Sequence, residues 1–338
     1  MSKETQSAVS VSEPAHNKQF IGRVIALVRQ VIGSREAGIA LVLLLAGAYL
    51  SFSTTTFLTV GNLSILARQI SLTAIIAVGM TMVILLGDID LSVGSVVALA
   101  TVVTGFLIVK AGVPYPVGIL AGLLVGVLIG LLNGMLVIKT GVPSFIVTLG
   151  MMGVARGFAL VITKGSSISG LPSAYLTLGQ GYWLGIPIPV IILIVIAITA
   201  HIFLSRMKTG RHIYFTGSNS EAALLSGINV NKIKILVFTL CSTLAAIEAV
   251  IETSRMNAAQ PAAGVGYELT AIGAVIIGGA SLFGGEGSIL GTLLGATLLG
   301  LITNGLILLG VSAYWQQVFS GSIIILAVTM DMWRQRRR

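Results

Sequence analysis

The chain has 338 residues, of which 55% are hydrophobic and 9% charged, and its formal net charge is +9. A soluble domain carries about 25% charged residues, so a chain this poor in charge needs lipid as its solvent. The positive balance does not indicate nucleic acid, because the Lys and Arg residues cluster between apolar runs, the pattern that sets orientation in a membrane.

Residues 1–36 form a polar tail with no apolar run followed by a small-residue cleavage site, so no signal peptide is expected. A spanning helix takes roughly 20 apolar residues. In chain order the apolar runs predict spans at 37–54, 70–87, 92–110, 115–138, 143–163, 186–204, 235–255, 268–283, 288–310 and 313–331. The run at 268–283 is the shortest and is rich in Gly. The expected fold is an all-α, polytopic bundle of about ten transmembrane helices occupying 37–333, with a basic tail at 334–338. Seven of the eight prolines fall in proposed loops or at helix starts, where a missing N–H costs nothing; Pro14 lies in the tail.

The basic residues fix the expected orientation. One side collects five in the N-terminal tail, Lys139, then Arg206, Lys208, Arg211, Lys232 and Lys234, and four at the C-terminus. The other side has only Lys110, Lys164 and Arg255. This asymmetry places both termini and the 205–234 loop in the cytoplasm.

Glycines mark close packing. Gly118, Gly122, Gly126, Gly130 and Gly134 recur every fourth residue, and Gly287, Gly291 and Gly295 repeat the spacing. Such a row lets another backbone approach, either as tight packing or as a moving interface. In the 205–234 loop, Ser218 and Glu221 have capping-box spacing and Gly227 suits a helix stop, which predicts a short helix over 218–227. A helix this short is not stable alone in water. Its Ala222 and Leu225 face must therefore lie on the membrane surface or against another body.

Polar residues inside apolar runs are the default markers of a pathway. Asp90 and Ser92 precede the span at 92, where both are also good helix caps. Asn133 and Asn304 lie within spans and can bond either a solute hydroxyl or another helix. Glu268 opens the short span, a position that the helix dipole favours by itself. Glu248, Glu252 and Arg255 stand at helical spacing, as expected of a local charge cluster. Arg156 has no evident partner in the sequence. No G-x-x-x-x-G-K-[ST] stretch occurs, His16, His201 and His212 lack metal-ligand spacing, and the one cysteine, Cys241, sits in an apolar run. No covalent chemistry and no cofactor in this chain are expected.

Five stretches carry a resemblance: Ile89 to Ser95, Pro143 to Gly150, Gly210 to Tyr214 with Ser226 to Val230, Ala259 to Pro261 with Gly266 to Leu269, and Ile277 to Gly287. In this order they resemble the permease subunits of bacterial monosaccharide ABC importers, of the ribose and xylose type, over about residues 36–332. The resemblance implies vectorial transport of a small sugar across the bacterial inner membrane. It implies two permease copies, a cytoplasmic ATP-binding subunit holding ATP and magnesium, and an extracytoplasmic sugar-binding protein. Ser218, Glu221, Ala222, Leu225 and Gly227 would then form the coupling helix that docks on the ATPase. Asp90, Ser92, Asn133, Glu268 and Asn304 are the expected residues of the translocation path. Asp88 falls outside the shared pattern. Another small polar solute (an autoinducer, a nucleoside or an amino acid) stays open as cargo, as does a secondary transporter or channel.

Overall fold

The computed structural model describes residues 35–335, so most of both expected tails lies outside the described residues. Thirteen α-helices are described: α1 (Arg35–Ser53), α2 (Val60–Leu85), α3 (Val93–Gly105), α4 (Tyr115–Thr140), α5 (Ser144–Thr163), α6 (Ser173–Gln180), α7 (Ile188–Arg206), α8 (Lys208–Ser218), α9 (Ser220–Leu225), α10 (Val230–Met256), α11 (Tyr267–Ile277), α12 (Ile289–Leu308) and α13 (Ala313–Gln335). A single π-helical turn, Phe106–Lys110, continues α3. Each of the ten expected spans falls on a helix. Eight helices of the described residues are long and apolar enough to cross a membrane. Of the other two expected spans, α13 has 23 residues and α11 only 11.

The expected span at 70–87 begins earlier, at Val60, where the Thr59 hydroxyl accepts the Asn62 N–H. Asn62, Arg68 and Gln69 gave this turn a loop-like composition. In the fold Asn62 and Arg68 have partners from distant segments: Asn62 bonds Asn304, and Arg68 donates to the Gln180 carbonyl at 2.7 Å and lies over the Tyr182 ring.

Helix α10 occupies the centre, packed on α2, α3 and α4, while α12 packs on α1, α2 and α11. The glycine row of α4 explains how α10 comes so close. A Cβ at Gly126 would meet the Ser242 carbonyl oxygen at 2.5 Å, and one at Gly130 the Phe238 carbonyl oxygen at 2.6 Å. Gly118 and Gly122 admit α3 in the same way, at Ile108 and Thr104. On the opposite face Leu120, Leu124, Leu128 and Leu132 are exposed. One face of α4 is therefore backbone-close and the other is greasy, as a helix between protein and lipid requires.

Two short ribbons close one end of the bundle. β1 (Ile168–Ser169) pairs antiparallel with β4 (Ala258–Ala259), and β2 (Tyr182–Trp183) pairs with β3 (Ile186–Pro187). The segments 86–92, 205–229 and 278–288 meet at the other end, and Arg206, Lys208 and Arg211 belong to the second of them.

Candidate translocation and coupling sites

The turn between α2 and α3 holds a buried polar cluster. Asp90 Oδ1 accepts the Ser92 N–H at 2.9 Å and the Ser92 hydroxyl at 2.6 Å, and the Asn133 amide donates to Ser92 Oγ at 2.9 Å. All three residues are fully buried. Ser92 occupies the cap position of α3 without a side-chain cap bond, so Asp90 restrains the start of the helix. Helix α5 braces the same turn from the side. Ser144 Oγ accepts the Ile89 N–H at 3.1 Å, and Thr148 Oγ1 accepts the Leu91 N–H at 3.0 Å. The first two sequence stretches singled out above thus touch. Asp90 Oδ2 and Asn133 Oδ1 remain without a hydrogen-bond partner.

A second site lies where the chain crosses the bundle without being helical throughout. Between Met256 and Tyr267 it is non-helical, extended at 258–260 and turning over 261–266, with left-handed glycines at Gly264 and Gly266. This segment runs beside α3 and antiparallel to it. Ala259 lies against Gly105, and Gly264 lies against Gly94, each contact too close for a Cβ on the glycine of α3. Eleven helical residues separate the two glycines, about 16 Å of α3. Helix α11 then covers a similar length, roughly half of a 30 Å hydrocarbon core. Irregular backbone at such depth persists only inside protein or along a cavity, and broken helices of this kind build the binding sites of many transporters.

Arg156 explains how the unwound backbone is tolerated. Its Nη1 donates to the carbonyl oxygens of Pro261 and Ala263, at 2.7 Å each, and its Nη2 donates to the Gly94 carbonyl at 3.2 Å. The guanidinium also interacts electrostatically with Glu268, in the first turn of α11. From the α10 side, Glu252 pairs with Arg255 at 3.1 Å, and both act electrostatically on Tyr267, as does Glu248. The side-chain hydrogen bonds of Arg255 go to Glu252. Glu248 is fully buried, and neither of its carboxyl oxygens has a hydrogen-bond partner. Of this group only Glu268 was expected to line a path. Arg156 was visible as a charge inside an apolar span; its partners, being backbone carbonyls about a hundred residues away, were not.

Asn304 stands apart from both sites. Its amide exchanges hydrogen bonds with Asn62, at 2.9 and 3.2 Å, and so joins α12 to α2. Asp88 pairs with Lys234 at 2.8 Å at the start of α10.

The 205–234 segment contains two helices where one was expected. The expected capping box at Ser218 does not form. The Asn219 side chain caps α9 by accepting the Ala222 N–H at 2.9 Å, and Ser218 Oγ donates to the Tyr214 carbonyl instead. Glu221 lies in the first turn of α9, and Gly227 takes the left-handed conformation just beyond it. Ala223 is buried, whereas Leu224 and Leu225 are 64% and 89% exposed among the described residues. Among the described residues no group of three or more His, Cys, Asp or Glu side chains could hold a metal ion.

Comparison with known proteins accords with a transport protein. Residues 62–328 match the model of the family described as branched-chain amino acid transport system / permease component. The chain belongs to this family. The permease is 46% identical over 301 residues to the ribose import permease protein of Escherichia coli (strain K12), covering 88% of this chain and 93% of that one. It is 45% identical to the ribose import permease protein of Bacillus subtilis (strain 168), over 82% and 86% of the two chains. Similarity to the xylose transport system permease protein of Haemophilus influenzae is 34%, over 84% and 92%. No solved structure matches the permease. The importer permeases expected from the sequence stretches are those that the comparison returns, and as a permease the chain is a transport subunit rather than an enzyme.

Proposed function

We propose that this permease moves a monosaccharide, a ribose-like pentose or a close relative, into the cytoplasm as the membrane subunit of an ATP-driven importer. The observation that carries the reading is the 46% identity with a ribose import permease along almost the whole of both chains. The broken span supports it, because it brings Glu268 and Arg156 together beside Gly94 at the start of α3, in an otherwise apolar bundle. On this reading the sugar passes beside the start of α11, and Asp90, Ser92 and Asn133 hold the inner end of α3 in place. Asn304 keeps α2 and α12 together along the path.

The finer assignments follow from the same reading. Residues 37–333 form the permease domain, both termini and the 205–234 loop face the cytoplasm, and the protein resides in the bacterial inner membrane. Two copies pair. The exposed Leu224 and Leu225, with Ser218, Glu221, Ala222 and Gly227, meet a cytoplasmic ATP-binding subunit that carries ATP and magnesium. An extracytoplasmic sugar-binding protein delivers the cargo.

Reconstitution in proteoliposomes with the ATP-binding subunit and the binding protein tests this. Uptake of labelled ribose should require all components and ATP. Uptake that persists without the ATPase, or that collapses with an uncoupler while ATP is constant, would overturn it. Competition by unlabelled allose, xylose, nucleosides and amino acids identifies the cargo class.

A further inference from the structure

The segment that carries α9 is fastened to the loops from which α3 and α12 start. Three backbone stretches converge at this end of the bundle with no room for a single methyl group. A Cβ at Gly217 would collide with the Leu85 carbonyl oxygen and reach the Gly285 nitrogen at 2.9 Å. A Cβ at Gly284 would meet the Gly217 carbonyl oxygen at 2.7 Å and the Gly87 nitrogen at 2.9 Å, and one at Gly285 would collide with the Ser218 hydroxyl. Direct hydrogen bonds lock the same contact: Gly285 N–H donates to the Leu85 carbonyl at 2.9 Å, and the Tyr214 hydroxyl donates to the Gly287 carbonyl at 2.9 Å.

Both loops so held have the same construction. After α2, Gly87 is left-handed, and the Asp88 N–H reaches back to the Val83 carbonyl; after α11, Gly279 is left-handed, and the Ala280 N–H reaches back to the Val275 carbonyl. Each loop then delivers a Ser at the cap position of the next helix, Ser92 for α3 and Ser288 for α12. A displacement of α8 is therefore applied at once to the two helices that flank the broken span, through backbone rather than through yielding side chains.

We infer that Tyr214 and Gly217 are positioning residues of the transport cycle, coupling α8 and α9 to the loops that open α3 and α12. This rests on the reading that α9 docks on the ATPase. The chemistry of Tyr214 suits a standing donor. Its hydroxyl is half-buried, and burial raises its pKa, so it keeps the proton that it donates.

The test uses the full importer in proteoliposomes with Tyr214→Phe, Gly217→Ala and, as a separate arm, Leu225→Asp. Three quantities are read: co-purification with the ATPase, ATP hydrolysis, and sugar moved per ATP hydrolysed. Tyr214→Phe removes one hydroxyl from an otherwise unaltered ring. It should leave assembly and hydrolysis intact and lower the sugar moved per ATP about fivefold, the scale of one lost hydrogen bond. Gly217→Ala should lower it further. An unchanged ratio of sugar to ATP in Tyr214→Phe overturns the inference, and so does a loss of assembly or of thermal stability in that variant, which would make the hydroxyl merely structural. Leu225→Asp interrogates the docking reading alone. It should abolish co-purification, and retention of the ATPase would sink that reading whatever the Tyr214 result.

Discussion

The side chain of Arg156, midway along α5, closes on the carbonyl of Gly94 at the start of α3 while its other terminal nitrogen holds Pro261 and Ala263. Two carbonyls that lie outside any helix, and one in the first turn of α3, are thereby bonded by one charge. Hydrogen bonds to charged groups contribute roughly 1.5–3 kcal/mol each, and an orphaned buried acceptor costs a similar amount. Arg156→Lys keeps the charge and loses the planar fork, so its single nitrogen cannot reach both the carbonyls of Pro261 and Ala263 and that of Gly94 as Nη1 and Nη2 do. It should lower the thermal midpoint in detergent and reduce sugar uptake at least tenfold. Arg156→Met should be worse in both respects, and equal behaviour of Lys and Arg at this position would remove the fork from the explanation.

Asp90 is a restraint on a helix start as well as a candidate of the path, and variants separate the two roles. Asp90→Asn retains an oxygen to accept from the N–H and hydroxyl of Ser92. Its thermal midpoint should stay close to the parent value. Asp90→Ala leaves both donors unpaired in a buried place and should cost about 1–3 kcal/mol. Equilibrium binding and uptake by the Asn variant then report on the carboxylate itself. Near-normal uptake assigns Asp90 to positioning, and lost uptake at full stability assigns it to the path.

The spans were legible because a run of apolar residues long enough to cross a bilayer has few other uses. What escaped was the first part of α2, where Asn62 and Arg68 lent helix a loop-like composition; their partners Asn304 and Gln180 are far away in sequence. The short α11 was legible as a short Gly-rich run and the stretch before it as a gap between spans; that the gap lies along α3 was not, since non-helical backbone leaves no periodic signature. In the 205–234 loop, a capping box at Ser218 and a cap at Asn219 differ by one residue, and spacing alone does not choose between them. Helix α8 was missed outright: its buried positions, Gly210, Ile213 and Thr216, are too few and too mixed to look like a core face. The path candidates share a signal, polarity in an apolar run, but that signal does not distinguish Asn304, spent on Asn62, from Glu268 at the break.

The amide pair of Asn62 and Asn304 gives a clean double-mutant cycle. Each single change to Leu strands the other amide between α2 and α12, while the double change strands neither. Coupling energies of such pairs within membrane bundles average about 0.6 kcal/mol. The double variant should recover part of the stability lost by either single one, as read by thermal unfolding, and should transport sugar at near the parent rate. Strict additivity would show that the two amides do not act as a pair.

Gly130 and Gly47 are both helical glycines, yet they should answer oppositely to alanine. At Gly130 a Cβ meets the Phe238 carbonyl oxygen and the Thr239 Cα, both at 2.6 Å and both backbone, so α4 has to move away from α10. Forced overpacking costs roughly 1–3 kcal/mol. At Gly47 nothing lies within 4 Å, and Ala is the better helix former by up to about 1 kcal/mol. Gly130→Ala should therefore melt lower and Gly47→Ala equal or higher.

Glu248 is costly to keep in the bundle. Its carboxyl is fully buried, neither oxygen is bonded, and the nearby Arg255 is taken by Glu252. Replacing an unpaired buried ionisable group with an apolar one of similar volume is often neutral or stabilising by a few kcal/mol. Glu248→Leu should thus raise the thermal midpoint. A group that costs stability and acts electrostatically on Tyr267 at the start of α11 is expected to be kept for activity. The same variant should lose most of its uptake, and Glu248→Gln, which keeps size and a hydrogen-bonding end, should lose less. A Leu variant that is both more stable and fully active would make Glu248 a passive passenger of α10 and confine the functional groups of the break to Arg156, Tyr267 and Glu268.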